Sequence, residues 1–271
     1  MLTSRTMNAT GKRLLLATAA IAFAATVAGC GTSKMTTGSV SRDGEPVAQM
    51  SADELAKRGA SLGKSYAADP SDKPTAMRYA QLLQMNGRTD QSLAVMRKLA
   101  IAYPKDREVL AAYGKALAGA GELEPALDAV RRAQTPEYPD WKLLSAEAAI
   151  LDQLGKSGEA RTLYRRALDL KPNDPSVLSN LGMSYVLEGD LKTAETYMHK
   201  AAQQPSADSR VRQNLALVVG LQGRFEEAEK IAGNELSPEQ AKANVAYLRG
   251  MLAQQNAWSQ LKDDDKKTAA N

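Results

Sequence analysis

The chain has 271 residues, with 35 Lys and Arg against 31 Asp and Glu, one cysteine and one histidine. A lone cysteine excludes an intramolecular disulfide framework, and the only histidine, His199, is far from it in sequence, so no Cys–His catalytic pair is in view. Three of the bases (Arg5, Lys12 and Arg13) lie in the first 29 residues, which hold no acid; the remainder balances 32 bases against 31 acids and carries no nucleic-acid footprint.

The first element in chain order is a leader. Its bases precede Leu14 to Val27, an apolar run of secretory-signal length, short of the ~20 residues a spanning helix needs. Small residues then lead to the thiol, and Val27-Ala28-Gly29-Cys30 resembles a bacterial lipobox. The resemblance implies that 1–29 is a signal peptide and that Cys30 is diacylated. Because Gly31, not Asp, follows, it also implies a lipid-anchored protein on the periplasmic face of the outer membrane. Two other readings compete: an uncleaved N-terminal anchor, and an ordinary signal peptide with an incidental cysteine. Residues 30–50, rich in Gly, Ser and Thr, read as a flexible tether. Residues 257–271, ending in DDDKKTAAN, read as a charged, disordered tail.

Between these ends the chain repeats. Gly87, Gly121, Gly155, Gly189 and Gly223 are 34 residues apart. Five residues beyond each stand Ser92, Ala126, Ala160, Ala194 and Ala228, and Ala133, Ala167 and Ala201 follow seven later. A 34-residue period is the mark of tetratricopeptide helix–turn–helix repeats. The family's other positions agree in Leu181-Gly182-x-x-Tyr185 and in Tyr164, Ala167 and Pro172. Departures are the missing first-helix Trp, Glu147 in place of Leu, and Ala216 and Val219 in place of Gly and Tyr. Each Gly suits the end of a first helix, each Ala a close crossing, and Pro70, Pro104, Pro139, Pro172 and Pro205 the end of a second helix.

The expected fold is all-α, a right-handed superhelical array of tetratricopeptide repeats over 51–256. It would comprise a cap helix at 51–67, repeats at 73–106, 107–140, 141–174, 175–208 and 209–242, and a C-terminal cap helix at 238–255. Ser237 and Pro238 suit the start of that last helix.

Catalysis has little support: there is no phosphate loop and no metal-ligand spacing, so neither cofactor nor metal is expected. Glu122, Glu124, Glu226 and Glu227 fall in first turns of second helices, where they complement the helix dipole. His199 reads as a surface or groove-rim residue. Binding is better supported, because repeat arrays present a long surface lined by first helices. In the fourth and fifth repeats that face is unusually apolar: Met183 and Leu187, then Leu217 and Leu221, are each four residues apart, with Asn180 and Asn214 placed to bond a ligand backbone. The alternative is that these Met and Leu residues pack against neighbouring helices. The lysine and asparagine set that clamps C-terminal carboxylates in chaperone-binding relatives is missing, since Arg210 stands alone.

The run from Asn214 to Gln254 carries a narrower resemblance. Asn214-Leu215-Ala216-Leu217, Gly220-Leu221-Gln222-Gly223-Arg224-Phe225 and Asn244-Val245-Ala246-Tyr247-Leu248-Arg249 are similar to the TadD family of tight-adherence (Flp) pilus assembly, outer-membrane lipoproteins with tetratricopeptide repeats. That resemblance implies a pilotin-like scaffold whose partners are proteins of a pilus or secretion machine, among them the secretin, with no nucleic acid. A lipoprotein adaptor for cell-wall (peptidoglycan) enzymes, or for another secretion system, is the second reading.

Overall fold

The computed structural model describes residues 52–135, 137 and 139–269; the expected signal peptide, Cys30 and the tether lie outside the described residues. Every described element is an α-helix. In chain order they are α1 (Ala52–Ala68), α2 (Lys73–Met85), α3 (Thr89–Ala102), α4 (Arg107–Gly119), α5 (Leu123–Ala133), α6 (Trp141–Gln153), α7 (Ser157–Leu170), α8 (Pro175–Glu188), α9 (Leu191–Ala202), α10 (Ser209–Leu221), α11 (Phe225–Gly233) and α12 (Pro238–Ala269). They form two compact units that divide after Pro172.

One signal recurs through both units. Asp72, Asp106, Asp140, Asp174 and Asp208, again 34 residues apart, are the N-caps of α2, α4, α6, α8 and α10. Each carboxylate accepts from backbone N–H groups of the first turn, at 2.8–3.1 Å. A cap of this kind satisfies donors that the helix start leaves unpaired, so it fixes where each repeat begins. The opposite end of the first helix is fixed by the recurring glycines, whose φ lies between 70° and 84°. Gly189 shows the reason: it caps α8 in the left-handed region, where a Cβ would be strained.

The first unit spans the described residues up to 172. Gly59 and Gly63 of α1 face Leu82 and Tyr79 of α2, and the Tyr66 and Tyr79 rings lie 5.4 Å apart. The pairs α2/α3, α4/α5 and α6/α7 then stack in sequence. Small residues set the crossings. A Cβ on Gly114 would meet Val130 Cγ2 at 2.6 Å and the Ala126 carbonyl at 3.1 Å. In the earliest copy Ser92 takes the alanine position, and its buried hydroxyl donates to the Ala80 carbonyl at 2.8 Å. Tyr164 on α7 is buried, and that burial, followed by the nearby Asp152 carboxylate, pushes its phenol above the ordinary value of 10.0.

The second unit holds α8 to α12. A Cβ on Gly182 would lie 2.9 Å from Met198 Cε and 3.2 Å from the Ala194 carbonyl. The core gathers Val186, Ala194, Met198, Leu215, Val218, Val219, Ala228 and Val245. Ser237 starts α12 through a reciprocal capping box: Gln240 N–H donates to Ser237 Oγ at 3.3 Å and Ser237 N–H to Gln240 Oε1 at 3.2 Å. Ala241, Val245 and Leu248 are buried, and Leu248 fills the space that Gly220 leaves open. The cap helix was expected to end at 255 and the chain to be disordered from 257. Instead α12 continues to Ala269. No Gly or Pro follows Gly250, and the Ala, Gln, Leu and Lys of this stretch are good helix formers, so nothing in the sequence stops the helix.

Candidate protein-binding surface

The six groove residues expected from the sequence lie on α8 (Asn180, Met183 and Leu187) and α10 (Asn214, Leu217 and Leu221), adjacent first helices of the second unit. Met183 and Leu221 are half-buried and pack against the same core cluster. Leu217 is 7 % exposed, within the continuous buried run 215–220. Leu187 and Asn180 are half-buried. The Asn214 side-chain amide donates to Ser179 Oγ at 3.1 Å, and that hydroxyl donates to Met198 Sδ at 3.5 Å. Leu217 is therefore corrected from groove wall to buried helix residue, and the Asn214 amide uses a hydrogen bond within the scaffold. What the two helices can still offer a partner is the half-buried strip of Asn180, Met183, Leu187 and Leu221.

Charged residues tie this face to the second helices. Glu195 of α9 accepts from Arg224 at 2.7 Å, from Gln222 at 2.8 Å and interacts with His199 at 3.4 Å. Burial pushes the Glu195 carboxyl up, but the hydrogen bonds from Gln222 and Arg224 outweigh it and hold the group below its ordinary value. Arg224 also pairs with Glu227. His199 has a half-exposed side chain on α9. Arg212 of α10 forms a two-pronged pair with Glu235 and donates to the Ala207 carbonyl at 2.9 Å. The Arg212 hydrogen bond is the main cause that lowers the Glu235 carboxyl. Neither the Asp caps nor these cross-helix pairs were anticipated; the caps were visible as a 34-residue period in Asp.

Among the described residues no group of three or more His, Cys, Asp or Glu side chains could hold a metal ion. No described helix is long and apolar enough to cross a membrane.

The helix pairs, their caps and their crossings define an all-α tetratricopeptide-repeat scaffold of the kind that binds other proteins. Tetratricopeptide-repeat profiles match residues 79–140 and 150–189. Solved structures of the same fold include PilW, described as a widely conserved type IV pilus biogenesis factor, at 19% identity, covering 74% of this chain and 91% of PilW with a TM-score of 0.55. A thermophilic repeat protein of Thermus thermophilus, TTC0263, aligns at 22% identity over 65% of this chain and 97% of its own, TM-score 0.56. A chain of the Cut9–Hcn1 hetero-tetramer of APC/C aligns at 15% identity over 74% and 40%, TM-score 0.58. At these identities the likeness is one of fold. No curated protein sequence matches the chain.

Proposed function

We propose that this chain is a lipid-anchored scaffold for assembly of a tight-adherence (Flp) pilus, acting in a pilotin-like way on the outer-membrane secretin. The observation that carries the reading is the run Asn214 to Gln254, whose resemblance to TadD coincides with a folded block: α10, α11 and the packed part of α12. Val27-Ala28-Gly29-Cys30 supplies the anchor in this reading, with Cys30 acylated and the chain held on the periplasmic face of the outer membrane. The use of the same fold by PilW, a pilus biogenesis factor, agrees with such a role.

Mechanistically the chain supplies position and surface rather than chemistry. Acyl groups on Cys30 confine it to the membrane where a secretin must insert. The 20 residues between Cys30 and Ser51 would let the repeats reach a partner up to roughly 66 Å away when extended. The strip on α8 and α10 then engages an apolar segment of that partner. The test is a deletion strain complemented with the wild-type gene. Loss of heat-resistant secretin multimers and of surface pili, both restored by complementation, is expected. Normal multimers and pili in the deletion strain would remove the reading.

A further inference from the structure

Glu147 of α6 stands where the flanking repeats carry Tyr113 and Leu181, yet it is only 7 % exposed. A carboxylate so placed must be paired, and it is. Arg131 Nε donates to its Oε1 at 2.7 Å and Gln134 Nε2 to its Oε2 at 2.6 Å. Both donors come from the end of α5. That helix has 11 residues where α3 and α7 have 14, and Gln134 beyond it is already extended, with ψ 147°. The early end of α5 leaves a pocket of about 370 Å³ at the junction of α5, α6 and α7.

We propose that this pocket binds a carboxylate carried by a partner peptide, an Asp or Glu side chain next to an apolar residue. It is separate from the α8/α10 strip and does not depend on the pilus reading. Both oxygens of Glu147 are already occupied, so it acts as a brace and not as the ligand's competitor. The remaining hydrogen-bond capacity is donor-rich. Arg131 uses only Nε among the described residues, and its side chain is 52% exposed. Arg166, also lining the pocket, makes no hydrogen bond or ion pair among the described residues. Thr135 Oγ1 lines it too and is buried without a partner there, an arrangement that native proteins rarely leave unanswered. Two guanidinium groups, Arg131 and Arg166, against the one Glu147 carboxylate leave the lining with one positive charge in excess. The planar fork of Arg matches a carboxylate in two-point bonding. Arg131, already oriented by Glu147, loses little ordering entropy on binding. Leu144 and Pro139 form the apolar wall for the neighbouring side chain.

The test uses the full chain in non-ionic detergent and fluorescence anisotropy of a labelled Leu-Asp-Ala amide peptide. Its Leu-Asn-Ala counterpart is the control, and inorganic phosphate the competitor. Saturable binding of the Asp peptide is expected, weakened at least about tenfold for the Asn peptide and for Arg166→Gln, as loss of a charge-assisted hydrogen bond implies. Arg166→Gln should melt like wild type, because Arg166 makes no hydrogen bond or ion pair among the described residues. Equal binding of the two peptides, undiminished binding by Arg166→Gln, or no saturation in the millimolar range would overturn the site. Phosphate displacing the peptide at lower concentration than the peptide itself binds would overturn its assignment to carboxylates.

Discussion

Gly182 and Met198 meet so closely that a methyl group on the glycine would stand 2.9 Å from the Met198 terminal carbon, with the Ala194 carbonyl 3.2 Å away. The same register position is Gly114 in the first unit and Gly250 in α12, where nothing lies within 4 Å. Three glycines at one repeat position thus face opposite demands. Gly182→Val should lower the melting midpoint by an overpacking cost of ~1–3 kcal/mol. Gly250→Ala should raise it, by up to ~1 kcal/mol, because an exposed helical glycine costs chain entropy with no packing reason. Thermal melts followed by circular dichroism check both. Ala194→Leu, at the same crossing and fully buried, should behave like Gly182→Val.

Cys30→Ser tests the anchor. The lipobox-like order predicts that the variant stays unacylated and leaves the outer-membrane fraction. A variant that fractionates like wild type would show that the thiol has no part in attachment.

Leu217→Glu combined with Leu221→Glu would be a clean probe of an exposed groove, but the burial of Leu217 changes the expected outcome. A carboxylate forced into that site lacks a partner and is strongly disfavoured. The double variant should therefore lose helical content in the second unit along with any function. Leu187→Glu, at a half-buried site, is the better probe: it should keep its helical signal and abolish pilus formation. Loss of helical signal in Leu187→Glu would return that residue to the core as well.

Arg212→Gln tests the α10 clamp through pH. Arg212 holds Glu235 below its ordinary value of 4.5. A carboxyl lowered on folding contributes stability above its unfolded pKa and loses it as pH falls through the folded value. The wild-type advantage over Arg212→Gln should be widest at neutral pH and shrink below about pH 4. Midpoints measured from neutral pH to pH 3 decide it, and a gap independent of pH would mean that the pair adds nothing through charge.

The repeat scaffold was legible because its two most constrained positions, the left-handed turn and the helix crossing, tolerate few residue types, so Gly and Ala recur visibly every 34 residues. The Asp caps recur just as regularly, yet Asp is so common on surfaces that its period is easily overlooked. Leu217 was misplaced for a different reason. From Leu215 to Gly220 every residue is apolar or small and every one is buried, so helical periodicity has no polar face against which to sort them. The Glu147 pocket was not readable at all. A single Glu for Leu shows in the sequence as a departure, but its meaning depends on where α5 ends, and no residue type announces that. The length of α12 was missed because a dense run of charges, Lys262 to Lys267, reads as solvated tail even where no residue breaks the helix.

Tyr164 gives the first unit an optical tag. Its phenol ordinarily ionises near 10.0, but burial and then Asp152 hold the proton on in the folded repeat. A group whose folded pKa is raised stabilises the fold in full below its unfolded pKa and loses that contribution as pH rises through the folded one. On alkaline titration, Tyr164 should therefore withhold its share of the tyrosinate absorbance until α6 and α7 separate, and then release it in one step with the helical signal. Tyr164→Phe should remove Tyr164's share of the tyrosinate absorbance from that step while the helical transition remains, which turns one buried hydroxyl into a clock for the opening of a single repeat.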